Sequence, residues 1–302
     1  MSEVKQEVRQ FYDQVGWSLV GEDIYQNARY EDLRPVSREY IHRCHLRVGR
    51  HLKKVGRFIL DAGSGPIQYP EYLEYSQGYQ YRVCADISIT ALREARKRIG
   101  SHGLYVVSDV ANLPFKADAF DGVVSLHTIH HLPEDEHLQA YGELYRVLMP
   151  ESSAVVVNGW PASTLMSSFE PLVRLSVRLR NLFRRLAGKT DARVEQDTPG
   201  EKLKKGAKDG CPKGTFTNRH DYAWVMGEVG GRMLVEIFVW RSASVRFLRS
   251  LIYPWLAGRY WLRLLYRLEE RNPKHYGQVG QYPLIVIRKN GAGSAVQEKT
   301  GG

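Results

Sequence analysis

Cysteine is scarce in this chain of 302 residues, which holds only Cys44, Cys84 and Cys211. They are odd in number, widely spaced and form no C-x-x-C pair, which excludes a disulfide framework and a zinc ribbon. Long apolar runs are missing too: none reaches 18 residues, and none follows the charged opening MSEVKQEVRQ. We therefore expect no membrane-spanning helix and no secretory signal. A cytoplasmic protein, soluble or peripheral to a membrane, is predicted.

Acidic residues are outnumbered: 43 Lys and Arg against 33 Asp and Glu give a net charge of +10. This excess indicates an anionic partner such as a nucleic acid, a membrane surface or an acidic substrate. The composition, 43% hydrophobic and 25% charged, is ordinary for a globular protein and excludes collagen, coiled coil and general disorder. At this length we expect one large domain or two modest ones.

Short apolar runs alternate with helical patterns from Arg57 onward. The runs are RFILDAG, YRVCADIS, LYVVSDV, FDGVVSLH and AVVVNGW, and the pattern resumes later with MLVEIFVW and YPLIVIRK. Continuous Val, Ile and Leu are typical of strands buried on both faces, as in parallel sheets. The alternation predicts an α/β fold with a doubly wound, mostly parallel sheet of seven strands.

Five segments are predicted from the changes in pattern. The first contains helices at 2–20 and 36–55, the second of which carries an apolar stripe from Val36 to Val55. The segments are an N-terminal helical cap (1–56), the α/β core (57–160), a basic helical insertion with a mobile polar loop (161–220), the completion of the sheet around an insertion rich in Arg and aromatic residues (221–290), and a disordered tail (291–302).

Polar residues end the first four predicted strands, at the edge where open parallel sheets bind ligands. The first strand ends in Asp61–Gly65, whose two glycines allow the backbone to approach a ligand and whose aspartate can accept a hydrogen bond. The second ends at Asp86, placed to bind two ribose hydroxyls. The third ends at Asp109 and the fourth in Ser125–His127. These residues predict one ligand crevice.

The same phrases resemble the class I methyltransferases that use S-adenosylmethionine (SAM), in particular the ubiquinone/menaquinone methyltransferase-like (type 11) group. The matching phrases are LDAGSGP, VCADIS, VVSDVANLPF, FDGVVSLHTIHHL and ELYRVLMP, in the family's order across residues 57–158. The resemblance implies the Rossmann-like SAM methyltransferase fold, SAM as cofactor and transfer of its methyl group to an acceptor.

The resemblance also implies roles for individual residues. It assigns Gly63 and Gly65 to the methionine part of SAM, Asp86 to the ribose, Asp109 and Val110 to the adenine, and Ser125 and His127 to the neighbourhood of the sulfonium. Asp61 and Ile87 are also expected among the cofactor-binding residues. Two positions depart from the family pattern. Ile67 stands where a third glycine is usual, and Glu151-Ser152 stands where Gly-Gly is usual.

Three histidines follow the fourth strand, namely His127, His130 and His131. We predict no metal site there, because no carboxylate or cysteine with ligand spacing accompanies them. One alternative is a general base: His131, or else His127, would take a proton from a hydroxyl or an acidic carbon as the methyl group moves. The other is a structural role, since an acceptor that is already nucleophilic needs only positioning.

Basic residues concentrate in three segments, 36–55, 171–189 and 241–271, and the last interleaves them with Trp255, Trp261 and other apolar residues. Such a segment fits a helix at a membrane interface or a lid over an apolar substrate, and the alternative is a helical pair packed on the sheet. Nucleic acid is disfavoured because the fourth strand is not followed by an Asn/Asp-Pro-Pro-aromatic motif. We therefore expect a small-molecule or lipid-like acceptor.

Two other functions stay open on the sequence. An NAD(P)-dependent oxidoreductase also places an acid after its second strand, but its first turn carries G-x-G-x-x-G, which this chain lacks. A catalytically inactive protein that keeps the methyltransferase fold to bind a partner would carry the same motifs.

Overall fold

The computed structural model describes residues 2–17, 31–186 and 215–291. At its centre is a seven-stranded sheet of order β3-β2-β1-β4-β5-β7-β6. The strands are β1 (Gly56–Ala62), β2 (Tyr79–Asp86), β3 (Gly103–Val107), β4 (Gly122–Leu126), β5 (Ser152–Val157), β6 (Leu234–Arg241) and β7 (Tyr282–Lys289). Only β7 runs antiparallel to its neighbours. The predicted doubly wound, mostly parallel sheet is confirmed.

Helices precede the first strand and connect most of the later ones. They are α1 (Glu3–Phe11), α2 (Arg38–Leu46), α3 (Glu71–Glu74), α4 (Ile89–Ile99), α5 (His137–Val147), α6 (Thr164–Leu186), α7 (Tyr222–Trp224), α8 (Val245–Leu251), α9 (Gly258–Arg271) and α10 (Pro273–Val279). The strand order reverses between β1 and β4. Because ligands bind at such a switch point, it locates the crevice.

Two helices of the core, α4 and α5, have residues at their N-termini that stabilise the first turn. The hydroxyl of Ser88 accepts a hydrogen bond from the Ala91 amide at 3.0 Å and caps α4. The buried residues of α4 are Ala91, Leu92 and Ala95, on one face of the helix. Three acidic residues precede α5 within a 3₁₀ turn. Their negative charges interact favourably with the positive N-terminal end of the helix dipole.

Both helices predicted in the N-terminal cap are shorter than expected. α2 ends at Leu46 and gives way to a 3₁₀ turn at Val48–His51, where Gly49 disfavours a continuous helix. The predicted apolar stripe is wrong at Val55, which is 76% exposed. α1 ends at Phe11 and continues as a π-helical turn, Tyr12–Gly16. Residues 18–20 lie outside the described residues.

The helix of the predicted insertion (161–220) begins before the basic segment 171–189. α6 starts at Thr164 and contains Pro171 in its interior. Most of the predicted polar loop, with Cys211, and the tail beyond Gly291 lie outside the described residues. Glu151, in the turn before β5, has a φ of +57°, in the left-handed region that favours glycine.

Both late insertions leave the sheet at the edge that carries the crevice. α6 follows β5, and α8 to α10 follow β6, which runs parallel to β5. α9 packs on α2, and the buried carboxylate of Glu269 joins them: it accepts the Tyr40 hydroxyl at 2.7 Å and pairs with Arg47 at 2.9 Å. The N-terminal helices and the late insertions therefore enclose the same edge of the sheet.

Candidate active site

A glycine turn links β1 to the crevice. Gly63 and Gly65 have φ values of +76° and +54°, which glycine adopts without steric cost. A Cβ atom on Gly63 would lie 2.2 Å from the side chain of Thr128, so any other residue would displace the loop after β4. Ile67 has a φ of +56° and is fully buried. The turn thus keeps a left-handed residue at the position where the family resemblance led us to expect a third glycine.

Asp61 fixes the beginning of this turn. Its carboxylate is buried and pairs with the guanidinium of Arg82 on β2, with Nε 3.2 Å from Oδ2. Arg82 also donates to the carbonyl of Tyr72. Because Asp61 is bound within the protein, it holds β1 and β2 in place at the crevice, and its sequence-predicted contact with a ligand stays a prediction.

Asp86 is the central acid of the crevice. Its Oδ2 accepts the amide of Gly65 and its Oδ1 accepts the amide of Ser88, both at 2.8 Å. Burial raises the pKa of Asp86 to about 6, although the two backbone hydrogen bonds act in the opposite direction. Further donors, such as ribose hydroxyls, would stabilise the ionised carboxylate. Ile87 continues the chain beside it, partly exposed.

Asp109, after β3, binds a lysine from the N-terminal helix. Its Oδ1 accepts the Ala111 amide at 3.0 Å, and its Oδ2 pairs with Lys5, which also pairs with Glu136. Burial favours the neutral amine, but Asp109 and Glu136 together raise the pKa of Lys5. Lys5 is only 4% exposed, so α1 covers this end of the crevice. Val110 is buried beside Asp109.

Ser125 and His127 have different positions at the end of β4. Ser125 is fully buried and donates its hydroxyl hydrogen to the carbonyl of Ala62 at 2.9 Å, so that hydrogen is used within the sheet. His127 has a φ of +56°, and its ring centre lies 5.1 Å from that of Trp240 and 5.9 Å from that of Tyr282. Burial, assisted by the charge of Arg241, lowers the pKa of His127 to about 3. Its imidazole is therefore neutral.

His131 forms a pair with Tyr12. Its Nδ1 lies 2.8 Å from the carbonyl oxygen of Phe216, which requires the proton on Nδ1. Nε2 is then the acceptor for the Tyr12 hydroxyl, also at 2.8 Å. Burial lowers the pKa of His131 to about 4, so at pH 7 the ring is neutral and orients the tyrosine.

The segment Glu3–Trp17 lies over the whole crevice and was missed in the sequence as a source of site residues. Besides Lys5 and Tyr12, its Asp13 accepts the Ser88 hydroxyl. The Trp17 ring lies 3.1 Å from the position of a Cβ on Gly65. One local signal was present: Lys5 stands on the apolar stripe of α1, three residues before Val8, and a buried cation requires partners.

The histidines after β4 are not gathered around an ion. Within the described residues, no group of three His, Cys, Asp or Glu side chains is placed to hold a metal. His130 contacts the Asn158 side chain at 3.2 Å through Nδ1. The imidazoles therefore have protein partners in the crevice wall.

The comparisons with known proteins agree with this geometry. Residues 60–156 match a family model described as a methyltransferase domain. The chain contains a class I, SAM-dependent methyltransferase domain. Methyltransferase GfsG of Streptomyces halstedii is 28% identical over 108 residues, which are 34% of this chain and 38% of that protein. The match thus spans well under half of the relative's length.

Solved structures share the fold of this methyltransferase domain. The [4+2]-cyclase SpnF is 15% identical with a TM-score of 0.51, and the match covers 95% of this chain and 96% of that chain. A complex of the Haloferax volcanii Trm112 methyltransferase activator with a putative methyltransferase gives 13% identity and a TM-score of 0.50, covering 85% and 92%. At these identities the likeness concerns the fold alone.

The crevice residues fit SAM. The turn through Gly63 and Gly65 carries no side chains of its own, and the side chains of Thr128 and Trp17 lie against it. The carboxylate of Asp86 has a pKa raised by desolvation, which further hydrogen-bond donors would lower. Asp109 lies one strand away, since Asp86 pairs with Val107 of β3. A turn and two acids on consecutive strands form the set that a nucleoside with a charged tail requires.

Proposed function

We propose that this protein transfers the methyl group of SAM to a small, lipophilic acceptor. The observation that carries the proposal is the convergence of the Gly63–Gly65 turn, Asp86 and Asp109 at the β1/β4 switch point. When bound, SAM supplies an electrophilic methyl group on a sulfonium. Asp86 binds its ribose hydroxyls, Asp109 its adenine, and the glycine turn its methionine part.

The Tyr12–His131 pair serves the acceptor. The tyrosine hydroxyl donates to Nε2 of His131 at 2.8 Å, and both residues lie on segments that enclose the crevice. As the methyl group is transferred, an acceptor proton passes to the Tyr12 oxygen while the tyrosine proton moves to His131. The Phe216 carbonyl stabilises the resulting imidazolium. A pKa of about 4 makes His131 a weak base, which suits an acidic hydroxyl or carbon.

The acceptor side of the crevice is aromatic. Around the neutral His127 stand Trp240 and Tyr282, and the Arg241 guanidinium lies 4.6 Å from the Tyr282 ring centre. Arg241 is itself neutralised by a buried ion pair with Glu31. A wall of rings with internally paired charges supports a lipophilic acceptor body.

An exposed apolar surface, defined by α6, the 3₁₀ turn Pro254–Leu256 and the start of α9, supports peripheral contact with a membrane. Trp255 is 76% exposed and Trp261 54%, so neither packs on the sheet. The exposed apolar residues of α6 are Leu172, Leu175, Leu179, Leu182 and Phe183. Arginines interleave both elements, as in helices that lie at a lipid interface. None of the described helices combines the length and apolar character needed to cross a bilayer.

Two measurements test the proposed function. Calorimetry with SAM and with NADH separates a methyltransferase from an oxidoreductase, and binding of NADH in preference to SAM would refute the proposal. Incubation of cell extracts with the protein and methyl-labelled SAM, followed by mass spectrometry, should give labelled products. A protein that binds SAM but labels nothing would be a binding protein with the methyltransferase fold.

A further inference from the structure

Among the described residues, Arg219 has no hydrogen-bond or ion-pair partner, and it lies in the wall of the crevice. It lies in the stretch that leads to α7, partly buried, and among the residues that the structure describes no carboxylate lies within ion-pair distance of it. Its Nε is buried and has no hydrogen-bond partner there. A guanidinium nitrogen that is removed from water without a hydrogen-bond partner costs free energy. The expected compensation is an anion that binds.

The backbone holds Arg219 in place from both sides. The amide of Asn218 donates to the carbonyl of His130 at 2.8 Å, and the carbonyl of Phe216 accepts Nδ1 of His131 at the same distance. After Arg219, the Asp221 side chain caps α7 by accepting the Trp224 amide at 2.9 Å. Anchors on both sides fix the backbone from which the Arg219 side chain extends.

The neighbouring acids are committed to other groups. Glu134 accepts the Asn218 side-chain amide at 2.8 Å, and Asp221 is the cap of α7. The space around the guanidinium is kept by Gly159, where a Cβ atom would lie 3.1 Å from Arg219 Nη1. The positive charge therefore faces the cavity without local neutralisation.

That cavity adjoins the proposed reaction site. Besides Arg219, its lining is both apolar and polar: the apolar side chains include Ile129, Tyr141, Trp160 and Val225, and the polar ones are His130, His137, Asn158, Asn218 and His220. Arg219 is also close enough to lower the pKa values of three imidazoles, at His127, His130 and His131. With only about 20 Å³ of free space, the cavity suits the anionic group of a ligand, whose apolar body must lie outside it.

We propose that Arg219 binds the anionic group, a carboxylate or a phosphate, of an amphiphilic methyl acceptor. This inference rests on the proposed function and names its substrate class. The planar guanidinium can bind either group through two parallel hydrogen bonds. The charged group would then fix the orientation of the acceptor, while its apolar body lies against the rings around His127.

The first test measures anion binding without turnover. Benzoate and phenyl phosphate are titrated into the SAM-saturated protein, with benzyl alcohol as a neutral probe, and the Arg219 Nε–H resonance is followed by ¹⁵N NMR. Saturable shifts are expected with at least one anion and none with the alcohol. The matched variant is Arg232→Gln, which removes the same charge from an exposed residue paired with Glu228 and should leave the shifts unchanged. No shift with either anion, or equal shifts with the alcohol, would overturn the proposal.

The second test identifies the products. Labelled products from the extract incubation should be retained on an anion-exchange column, and phosphatase should abolish retention only if the group is a phosphate. Arg219→Gln should raise the KM for the acceptor about ten- to a hundredfold, with Arg219→Lys between it and the wild type and SAM affinity unchanged. Neutral products or an unchanged KM would contradict the proposal. Loss of SAM affinity in Arg219→Gln would instead place the cofactor's own carboxylate on Arg219.

Discussion

Replacing Asp86 by asparagine should weaken SAM binding and remove its dependence on pH. The ionised carboxylate is the form that accepts two ribose hydroxyls, and losing such charge-assisted hydrogen bonds costs about 1.5–3 kcal/mol, or roughly ten- to a hundredfold in affinity. The introduced side chain would also place an amide donor against the backbone amide of Gly65 or Ser88, both now 2.8 Å from the carboxylate.

The raised pKa gives this prediction a second component. Burial raises the pKa of Asp86 to about 6, so at pH 5 only about a tenth of the free protein carries the charged carboxylate. SAM affinity of the wild type should therefore fall about tenfold between pH 8 and pH 5. The Asp86→Asn protein should bind weakly at every pH, because the replaced side chain no longer titrates.

Isothermal calorimetry at pH 5, 6, 7 and 8 measures both components, with circular dichroism to show that the variant is folded. Because the wild type and Asp86→Asn share all other titrating groups, the difference between their pH profiles reports the titration of Asp86. A wild-type affinity that stays constant from pH 5 to 8 would show that Asp86 is not the ribose ligand. The same conclusion would follow if the folded Asp86→Asn protein bound SAM as the wild type does.

Four further outcomes are expected. Without SAM, the free energy of unfolding should fall as pH rises from about 4 to about 6, because the pKa of Asp86 is about 6 in the folded protein and 3.8 ordinarily. Asp86→Asn should abolish this component, which is worth about 3 kcal/mol at most. Lys5→Met leaves two carboxylates unpaired at a cost of about 3 kcal/mol, so amide exchange in residues 3–16 should quicken about a hundredfold by mass spectrometry, and unchanged exchange would show that the ion pairs do not hold the segment. His131→Gln should lower turnover about a hundredfold with SAM affinity nearly constant, and Tyr12→Phe should lower it too; normal turnover and pH profile in both would leave the pair a structural role. The protein should float with anionic vesicles at low salt and less so when Trp255 and Trp261 become alanine, whereas a wild type absent from the vesicle fraction would exclude membrane contact.

The sequence predicted the sheet because its signals are local. Continuous apolar runs identify buried strands, and the acids Asp86 and Asp109 end two of them, so their meeting at one edge follows from parallel topology. The sequence shows that Ile67 departs from the glycine expected there, but only the structure shows how the backbone accommodates it. The backbone keeps a φ of +56° there, at a cost of about 1–2 kcal/mol for a residue with a Cβ. Complete burial of the side chain and a hydrogen bond from Arg98 to its carbonyl at 2.9 Å offset that strain.

The contacts that close the crevice could not be predicted in the same way. Tyr12 and His131 are 119 residues apart, and Lys5 and Asp109 are 104 apart. Nothing in either local pattern specifies its partner, because such pairs form only when α1 is packed over the finished sheet. Helix propensity and periodicity describe one element at a time, so side chains contributed across elements are the part of a site that sequence patterns miss.

The identity of the acceptor depends on these long-range residues rather than on the fold. SpnF, described as a [4+2]-cyclase, shares the fold across nearly the whole of both chains, so the architecture does not fix the reaction. The family match covers residues 60–156 and includes the expected cofactor ligands and His131. Tyr12 and Arg219, which face the acceptor in our proposal, lie outside it. Substitutions at these two positions that alter acceptor kinetics while preserving SAM affinity would therefore locate the determinants of specificity in the segments this chain adds to the common domain.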